Sequence, residues 1–283
     1  MRLAVADLAD PRLTAYAALG DPARLAREGR FVAEGRLVLV RLLATGGYEV
    51  ESVLVSPAAA DQLADPLERL DPAVPVYVVP AALLARVAGF NIHRGCLALV
   101  RRPRVRSLAE VLPARGRPAL LVVLERLANP DNVGGVFRNA LAFGAAGVLL
   151  DPATSDPLYR KAIRTSMAAT LAVPWARCAA WPNDLAQLTA AGIDLVALVT
   201  DPEAPAIGGA GAPPSDAAWF RCPPRVALLV GHEGDGLTAA ALAHAARRVR
   251  IPMAPGVDSL NAATAAGIAL HHLACACGTI PLA

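Results

Sequence analysis

Three short stretches, far apart in the chain, carry the residue types from which a reactive site can be built. The first is NPDNVGGVFRNALAFGAA, Asn129 to Ala146, set between the apolar runs ALLVVLE and GVLL. An apolar strand ending at Glu125 gives way to Asn129, Asn132 and two adjacent glycines, then to Arg138. Asparagine caps a helix because its side chain accepts from a free backbone N–H, so a helix is expected from near Val133. Each glycine costs that helix about 1 kcal/mol relative to alanine, and a pair implies that another group approaches the backbone. Free N–H groups and an arginine near a helix start make an anion site. There is no G-x-G-x-x-G and no glycine-rich loop ending in Lys-Ser/Thr, so neither a dinucleotide loop nor an NTPase phosphate loop fits.

The second stretch is LLVGHEGDGL, residues 228–237, again an apolar strand entering a glycine-rich turn. Small residues at a strand's carboxyl end let a ligand lie against the backbone. Glu233 and Asp235 disfavour a phosphate there and suit a cationic or hydroxyl-bearing ligand. The third stretch is RIPMAPGVDSLNAATAAGIALHHLA. Its turn at Pro255-Gly256 leads to Ser259, placed to cap a helix, and to Asn261. The small residues that follow make a smooth helix from about Leu260 to Cys275, against which another backbone can pack, as at a dimer interface or over a flat ligand.

The elements that hold these turns are legible as an alternation of strand-length apolar runs with helical patterns, the mark of an α/β fold with a mainly parallel sheet. FVAEGRLVLVRLLA reads as a helix. A strand VESVLVS, a helix around AAADQLADPLERL, a strand PVYVV, a helix AALLARVAG and a strand CLALVRR complete a first α/β unit. The basic, proline-containing RRPRVRSLAEVLPARGRP follows as a linker. Strands then recur at ALLVVLE, GVLLD, DLVALVT, RVALLVG and RRVRIPM, with a long Pro- and Gly-rich surface loop over 201–224. The expected division is 1–103, a linker 104–117, and 118–283.

Composition sets the class. With 283 residues, 55% hydrophobic and 18% charged, the chain can bury a large core and is not disordered. The net charge is +3, and residues 1–106 carry all of it, with 14 arginines against 11 acids. The linker and its neighbours Arg94, Arg101, Arg102 and Arg104 are either a solvated connection or a basic strip facing an RNA backbone; His93 stands beside them. Five scattered cysteines without a framework argue against a secreted disulfide protein. The N-terminus, MRLAVADLADPR, carries acids inside its short apolar stretch, so no signal peptide is expected. Ser259 to Ala283 holds no charge and is long enough to span a bilayer, but Asn261, His271, His272 and Pro281 make it a core or interface helix. A cytoplasmic, soluble protein without membrane contact is expected. His271, Cys275 and Cys277 lack the usual closed zinc pairings, so no metal is expected.

The three motifs in this order resemble the SpoU (TrmH-like) RNA ribose 2′-O-methyltransferases: Asn129-Pro-Asp-Asn132-Val-Gly134-Gly-Val-Phe-Arg138, Gly231-His-Glu233-Gly-Asp-Gly236-Leu, and Ile251-Pro-Met253 with Asp258-Ser259-Leu260-Asn261. HRGCLALV resembles the end of that family's L30e-like RNA-binding domain. The resemblance implies a SPOUT-class α/β domain with a deep trefoil knot, S-adenosylmethionine as methyl donor, an RNA substrate and a homodimer through the knotted domain. It also implies catalytic roles for Asn132, Arg138, Glu233, Ser259 and Asn261, and a cofactor site lined by Gly231, Ile251, Met253 and Leu260 with Thr200 close by. Asp131, His232 and Ala168 depart from the family's small residues. On this reading the double glycine is clearance for a ribose and its backbone, and Arg138 clamps the neighbouring phosphate. A guanidinium keeps its proton at pH values far above neutral, which disfavours it as a base. A non-catalytic RNA-binding relative and a small-molecule methyltransferase or ligand-binding protein are the competing functions.

Overall fold

We analysed a computed structural model that describes residues 2–7, 9–17, 19, 21–88, 95–207 and 223–280. His93, Arg94 and most of the 201–224 loop lie outside the described residues. The chain forms two compact units, Met1–Arg104 with Pro157–Leu171, and Val105–Asp156 with Ala172–Ala283.

In chain order the first unit contains β1 (Arg2–Ala4), α1 (Thr14–Ala17), α2 (Pro22–Arg27), β2 (Arg30–Glu34), α3 (Arg36–Thr45), β3 (Val50–Val55), α4 (Pro57–Gln62), α5 (Ala64–Glu68), β4 (Val76–Val78), α6 (Ala81–Ala88) and β5 (Cys96–Arg101). Its sheet runs β1-β4-β3-β5-β2, with β5 antiparallel to both neighbours and the other pairs parallel. The helix expected over FVAEGRLVLVRLLA is corrected: its first residues are β2, and only Arg36–Thr45 is helical. The break is Gly35 at φ 107, a backbone conformation that side chains resist. β2 is buried along most of its length, so it shows no alternation of apolar and polar residues. Residues 157–171 add to this unit α9 (Arg160–Thr165), whose Arg160 guanidinium lies 2.6 Å from Glu34 Oε2.

The second unit holds the three motifs. Its elements are α7 (Leu108–Val111), β6 (Ala119–Leu124), α8 (Pro130–Ala142), β7 (Gly147–Leu150), then, after α9 and the short α10 (Ala169–Ala172), β8 (Trp175–Arg177), α11 (Leu185–Ala190), β9 (Asp194–Leu198), β10 (Arg225–Val230), α12 (Ala239–Leu242), β11 (Arg247–Val249) and α13 (Ala262–Cys277). All six strands are parallel, in the order β11-β9-β10-β6-β7-β8. The two central strands β6 and β10 are buried at every residue, which is why they read as continuous apolar runs. From β6 the sheet grows outward through β7 and β8, and on the other side β10 leads to β9 and β11. The β6/β10 boundary is therefore the sheet's topological switch point, a crevice whose flanking loops leave in opposite directions.

The stretch expected as a plain linker is partly structured. Ser107 and Glu110 form a capping box for α7, and Leu108 and Val111 are buried where α7 packs on β7 and β8. Two three-residue strands, β1 and β8, were not expected from the sequence. α13 is 16 residues long, and among the described residues no helix is long and apolar enough to cross a membrane.

Candidate active site

The loops after β6 and β10 flank the crevice, and the N-terminus of α13 closes it. Asn129 caps α8 by accepting from Asp131 N at 2.9 Å. The helix thus starts at Pro130, ahead of the expected Val133, and Asn132 sits inside its first turn, not at its cap. That frees the Asn132 side chain for long-range bonds. Its Nδ2 donates to Glu233 Oε1 at 2.9 Å, and its Oδ1 accepts from Asn261 Nδ2 at 2.8 Å. Asn261, not Ser259, caps α13, its Oδ1 accepting from Ala263 N and Thr264 N at 3.0 and 3.1 Å. Ser259 is exposed in the preceding loop. One chain of hydrogen bonds, Asn261 to Asn132 to Glu233, joins all three motifs.

Glu233 is the anchor of that chain. Burial opposes its ionisation, but hydrogen bonds from Asn132 and from backbone N–H groups including that of Asn129, 3.3 Å away, outweigh it and hold the carboxyl below the usual glutamate range. The charged form is therefore the working form near neutral pH.

The turn after β10 is tight. His232 and Gly236 exchange backbone hydrogen bonds at 3.1 and 3.0 Å, and Gly236 has φ +68. A Cβ on Gly231 would fall onto the Gly236 carbonyl and the Leu237 nitrogen, so only glycine closes this turn. Its far end is tied down by a residue outside the three motifs, one that sequence reasoning missed. Glu125, 1% exposed, accepts from Thr238 N and Thr238 Oγ1 at 2.8 and 2.7 Å and from Trp181 Nε1 at 2.8 Å. Its one sequence signal is a carboxylate closing an otherwise wholly apolar strand. Beside it Arg126, at φ 54, lies 3.5 Å from Asp235.

Thr200, Gly231, Ile251, Met253 and Leu260 all line one cavity of about 610 Å3, together with Glu233 and Ser259. Asp201, Glu233, Asp235 and Asp258 are among its lining residues, against a single arginine, Arg248. A cavity of that sign favours a cationic ligand over a phosphate, and its volume suits a small molecule.

Arg138 stands apart from this network. It is exposed on α8, without a hydrogen bond or ion pair among the described residues, three residues before the exposed Leu141. A Cβ on Gly135 would sit 2.6 Å from Ala263 Cβ, so the clearance at this glycine of the pair admits α13. Gly267 of α13 likewise faces Asn139, whose Nδ2 donates to Ala263 O at 2.8 Å. In the first unit, Arg101 Nε lies 3.4 Å from both Glu49 and Glu51, Arg102 Nε donates to Arg30 O at 3.3 Å, and Arg104 is exposed. His271 and Cys275 lie 3.8 Å apart, and among the described residues no group of three or more metal-ligating side chains gathers.

A parallel α/β sheet with a small-molecule cavity lined by acids and a carboxamide–carboxylate network at its strand ends places this chain among ligand-binding α/β proteins. Residues 119–271 match the SpoU rRNA Methylase family. An uncharacterized tRNA/rRNA methyltransferase of Mycobacterium tuberculosis is 38% identical over 272 residues, 95% of this chain and 90% of the relative. Among solved structures, the AdoMet-bound rRNA methyltransferase from Sinorhizobium meliloti aligns with a TM-score of 0.78 at 25% identity over 96% of this chain and 97% of that one. An RNA 2′-O ribose methyltransferase aligns at 0.76 and 28% over 96% and 98%, and the SpoU methyltransferase AviRb from Streptomyces viridochromogenes, in complex with AdoMet, at 0.76 and 25% over 94% and 98%. The chain belongs to the SpoU rRNA methylase family and is a methyltransferase of that family.

Proposed function

We propose that this protein transfers a methyl group from S-adenosylmethionine to a ribose 2′-hydroxyl of structured RNA, ribosomal rather than transfer RNA. The observation that carries the reading is the hydrogen-bonded chain Asn261–Asn132–Glu233 on the rim of an acidic cavity. The cavity fits the cofactor on two counts: four acidic residues among those lining it suit a cationic ligand, and its volume of about 610 Å3 is sufficient. Gly231, Ile251, Met253, Leu260 and Thr200 would hold the cofactor, which would supply an electrophilic sulfonium methyl for the ribose oxygen.

The rest is the work of the chain's own residues. The nucleophile is a weakly acidic hydroxyl, so it must be held in line, about 3–3.5 Å from the methyl carbon. Asn132, fixed from both sides, orients it together with Asn261. Glu233 keeps Asn132 in one amide orientation. Arg138 holds the phosphate beside the target ribose in a planar two-point grip and polarises the hydroxyl, whose proton passes to solvent. An arginine exposed outside the single-chain network fits a site completed by a second copy across the α8 face that carries Leu141, so the reading includes a homodimer. The seat of α13 beside α8 and β10 supports the trefoil return of the chain after β11. The first unit, with Arg101, Arg102 and Arg104, supplies shape recognition of folded RNA.

The test is methyl mapping. Ribosomal and transfer RNA from a deletion strain are compared with the parent by nucleoside mass spectrometry and primer extension, then treated with purified protein and S-adenosylmethionine. One missing 2′-O-methyl nucleotide, restored by wild type and not by Arg138→Ala, is expected. Loss of a base methylation instead, or no calorimetric binding of the cofactor at millimolar concentration, overturns the proposal.

A further inference from the structure

His232 occupies the middle of the cofactor turn, and its ring makes a contact that neither the network nor the cavity lining explains. Nδ1 lies 3.0 Å from Gly234 N and 3.2 Å from Asp235 N. Both are backbone N–H donors, so Nδ1 must present its lone pair, and the ring proton must sit on Nε2. The side chain thereby does what an asparagine does in an Asx turn, accepting from the backbone two residues ahead. The flanking groups compete for the ring. Glu233 Oε2 lies 4.0 Å from Nε2, and Asp235 Oδ2 lies 3.9 Å from Nδ1. The Arg126 guanidinium stands 3.5 Å from the same Asp235 carboxylate, and Asp201, Asp258 and Arg248 complete the charged wall of the cavity.

Building on the reading that this cavity takes S-adenosylmethionine, we propose that His232 is the positioning residue of the cofactor turn and that it acts only as the neutral imidazole. A proton on Nδ1 removes the acceptor for two backbone donors at once. It also draws the ring toward Glu233 and Asp235 and sets a positive charge beside a cationic ligand. All three consequences loosen cofactor binding, and none touches the methyl-transfer chemistry directly. An asparagine at the same position keeps its acceptor whatever the pH, so cofactor affinity depends on the protonation state of residue 232 in the wild type and not in His232→Asn.

The experiment uses the full chain as wild type, His232→Asn and His232→Ala. Without ligand, the amide shifts of Gly234 and Asp235 are followed by NMR against the His232 ring signals. With S-adenosylmethionine, Kd is measured by calorimetry at about pH 8 and about pH 5.5. In the wild type both amides move with the ring's midpoint, and Kd weakens about tenfold at the lower pH, the loss of roughly one to two net hydrogen bonds. His232→Asn recovers much of what His232→Ala loses and shows no histidine-range dependence. The proposal fails if the wild-type Kd is flat, if the two amides ignore the ring's titration, or if His232→Asn binds as poorly as His232→Ala. Absence of cofactor binding at every pH sinks the cofactor reading instead, and the amide titration then decides the role of His232 by itself.

Discussion

Gly135→Ala separates the stability of the α8–α13 seam from the geometry of the site it supports. The added methyl would lie 2.6 Å from Ala263 Cβ, whereas carbon atoms rest at about 3.5–4.0 Å, so the helices must part by roughly 1 Å. Two energies oppose each other. Alanine favours the helix by about 1 kcal/mol, and overpacking costs about 1–3 kcal/mol. The net loss is therefore on the order of 0–2 kcal/mol, a few degrees in Tm at about 2–4 °C per kcal/mol. The same shift stretches the Asn261–Asn132 hydrogen bond from 2.8 Å to nearly 4 Å, beyond bonding distance. Because misplacement by about 1 Å can cost a hundredfold in rate, kcat for RNA methylation is expected to fall about a hundredfold while the fold survives. Moving the methyl, with Ala263→Gly added, reopens the gap and restores most of the rate. Single-turnover methylation and thermal unfolding of the three proteins decide it. A Gly135→Ala protein with full activity, or a double variant as slow as the single, would falsify the argument.

Three further outcomes are expected. Arg138→Ala, removing a side chain without partners among the described residues, changes unfolding free energy by less than about 0.5 kcal/mol; Arg138→Lys still loses more than about tenfold in kcat, because an ammonium lacks the planar fork, and a lysine variant that keeps most of its kcat refutes the clamp. Glu233 has a folded pKa below its ordinary value of 4.5, so its contribution to stability is complete above that value and lost as pH falls through the lowered one; the urea midpoint of Glu233→Gln should show a shallower decline with acid below about pH 4.5 than wild type, and parallel declines would contradict the assignment. Ala168 is buried at φ 69, where a side chain costs about 1–2 kcal/mol; relief of that strain offsets the lost methyl and the glycine's extra chain entropy, so Ala168→Gly leaves stability within about 1 kcal/mol, and a larger loss on chemical denaturation shows there was no strain to relieve.

The legible part of the fold is the part that periodicity reports. Apolar runs flanked by turn residues locate β6, β7, β9 and β10 because those strands are buried on both faces. β2 misleads for the same reason: five residues without alternation, followed at once by a helix, look like one helix until Gly35 is known to break the chain at φ 107. The site residues are legible as motifs, but their partners are not. Asn132 meets Glu233 and Asn261 across separations of 101 and 129 residues, and nothing local in a sequence encodes such distances. Glu125 is the sharpest omission, since a lone carboxylate at the end of a buried strand must find donors, and here it finds them on Trp181 and Thr238.

The smooth helix and the glycine pair change meaning once they are seen together. Each implies a close approach, and separately each is open to a ligand or a second copy. Gly135 faces Ala263, and Gly267 faces Asn139, so both bare positions serve one internal seam. Helices in which the bare backbone of one is packed against a side chain of the other have little freedom to slide, because every displacement meets a van der Waals wall. That rigidity is transmitted to Asn132 and Asn261, which sit at the N-terminal ends of the same two helices. The smoothness of α13 is thus used up inside the chain and is no longer an argument for a dimer. What remains for a second copy is the exposed face of α8, where Arg138 and Leu141 stand. A dimer built there would bring in Arg138, which the single chain leaves outside the Asn261–Asn132–Glu233 network. The oligomeric state and Arg138 are therefore one question: a monomeric Leu141→Glu variant should lose methylation as fully as Arg138→Ala while still binding S-adenosylmethionine, whose cavity is built without α8.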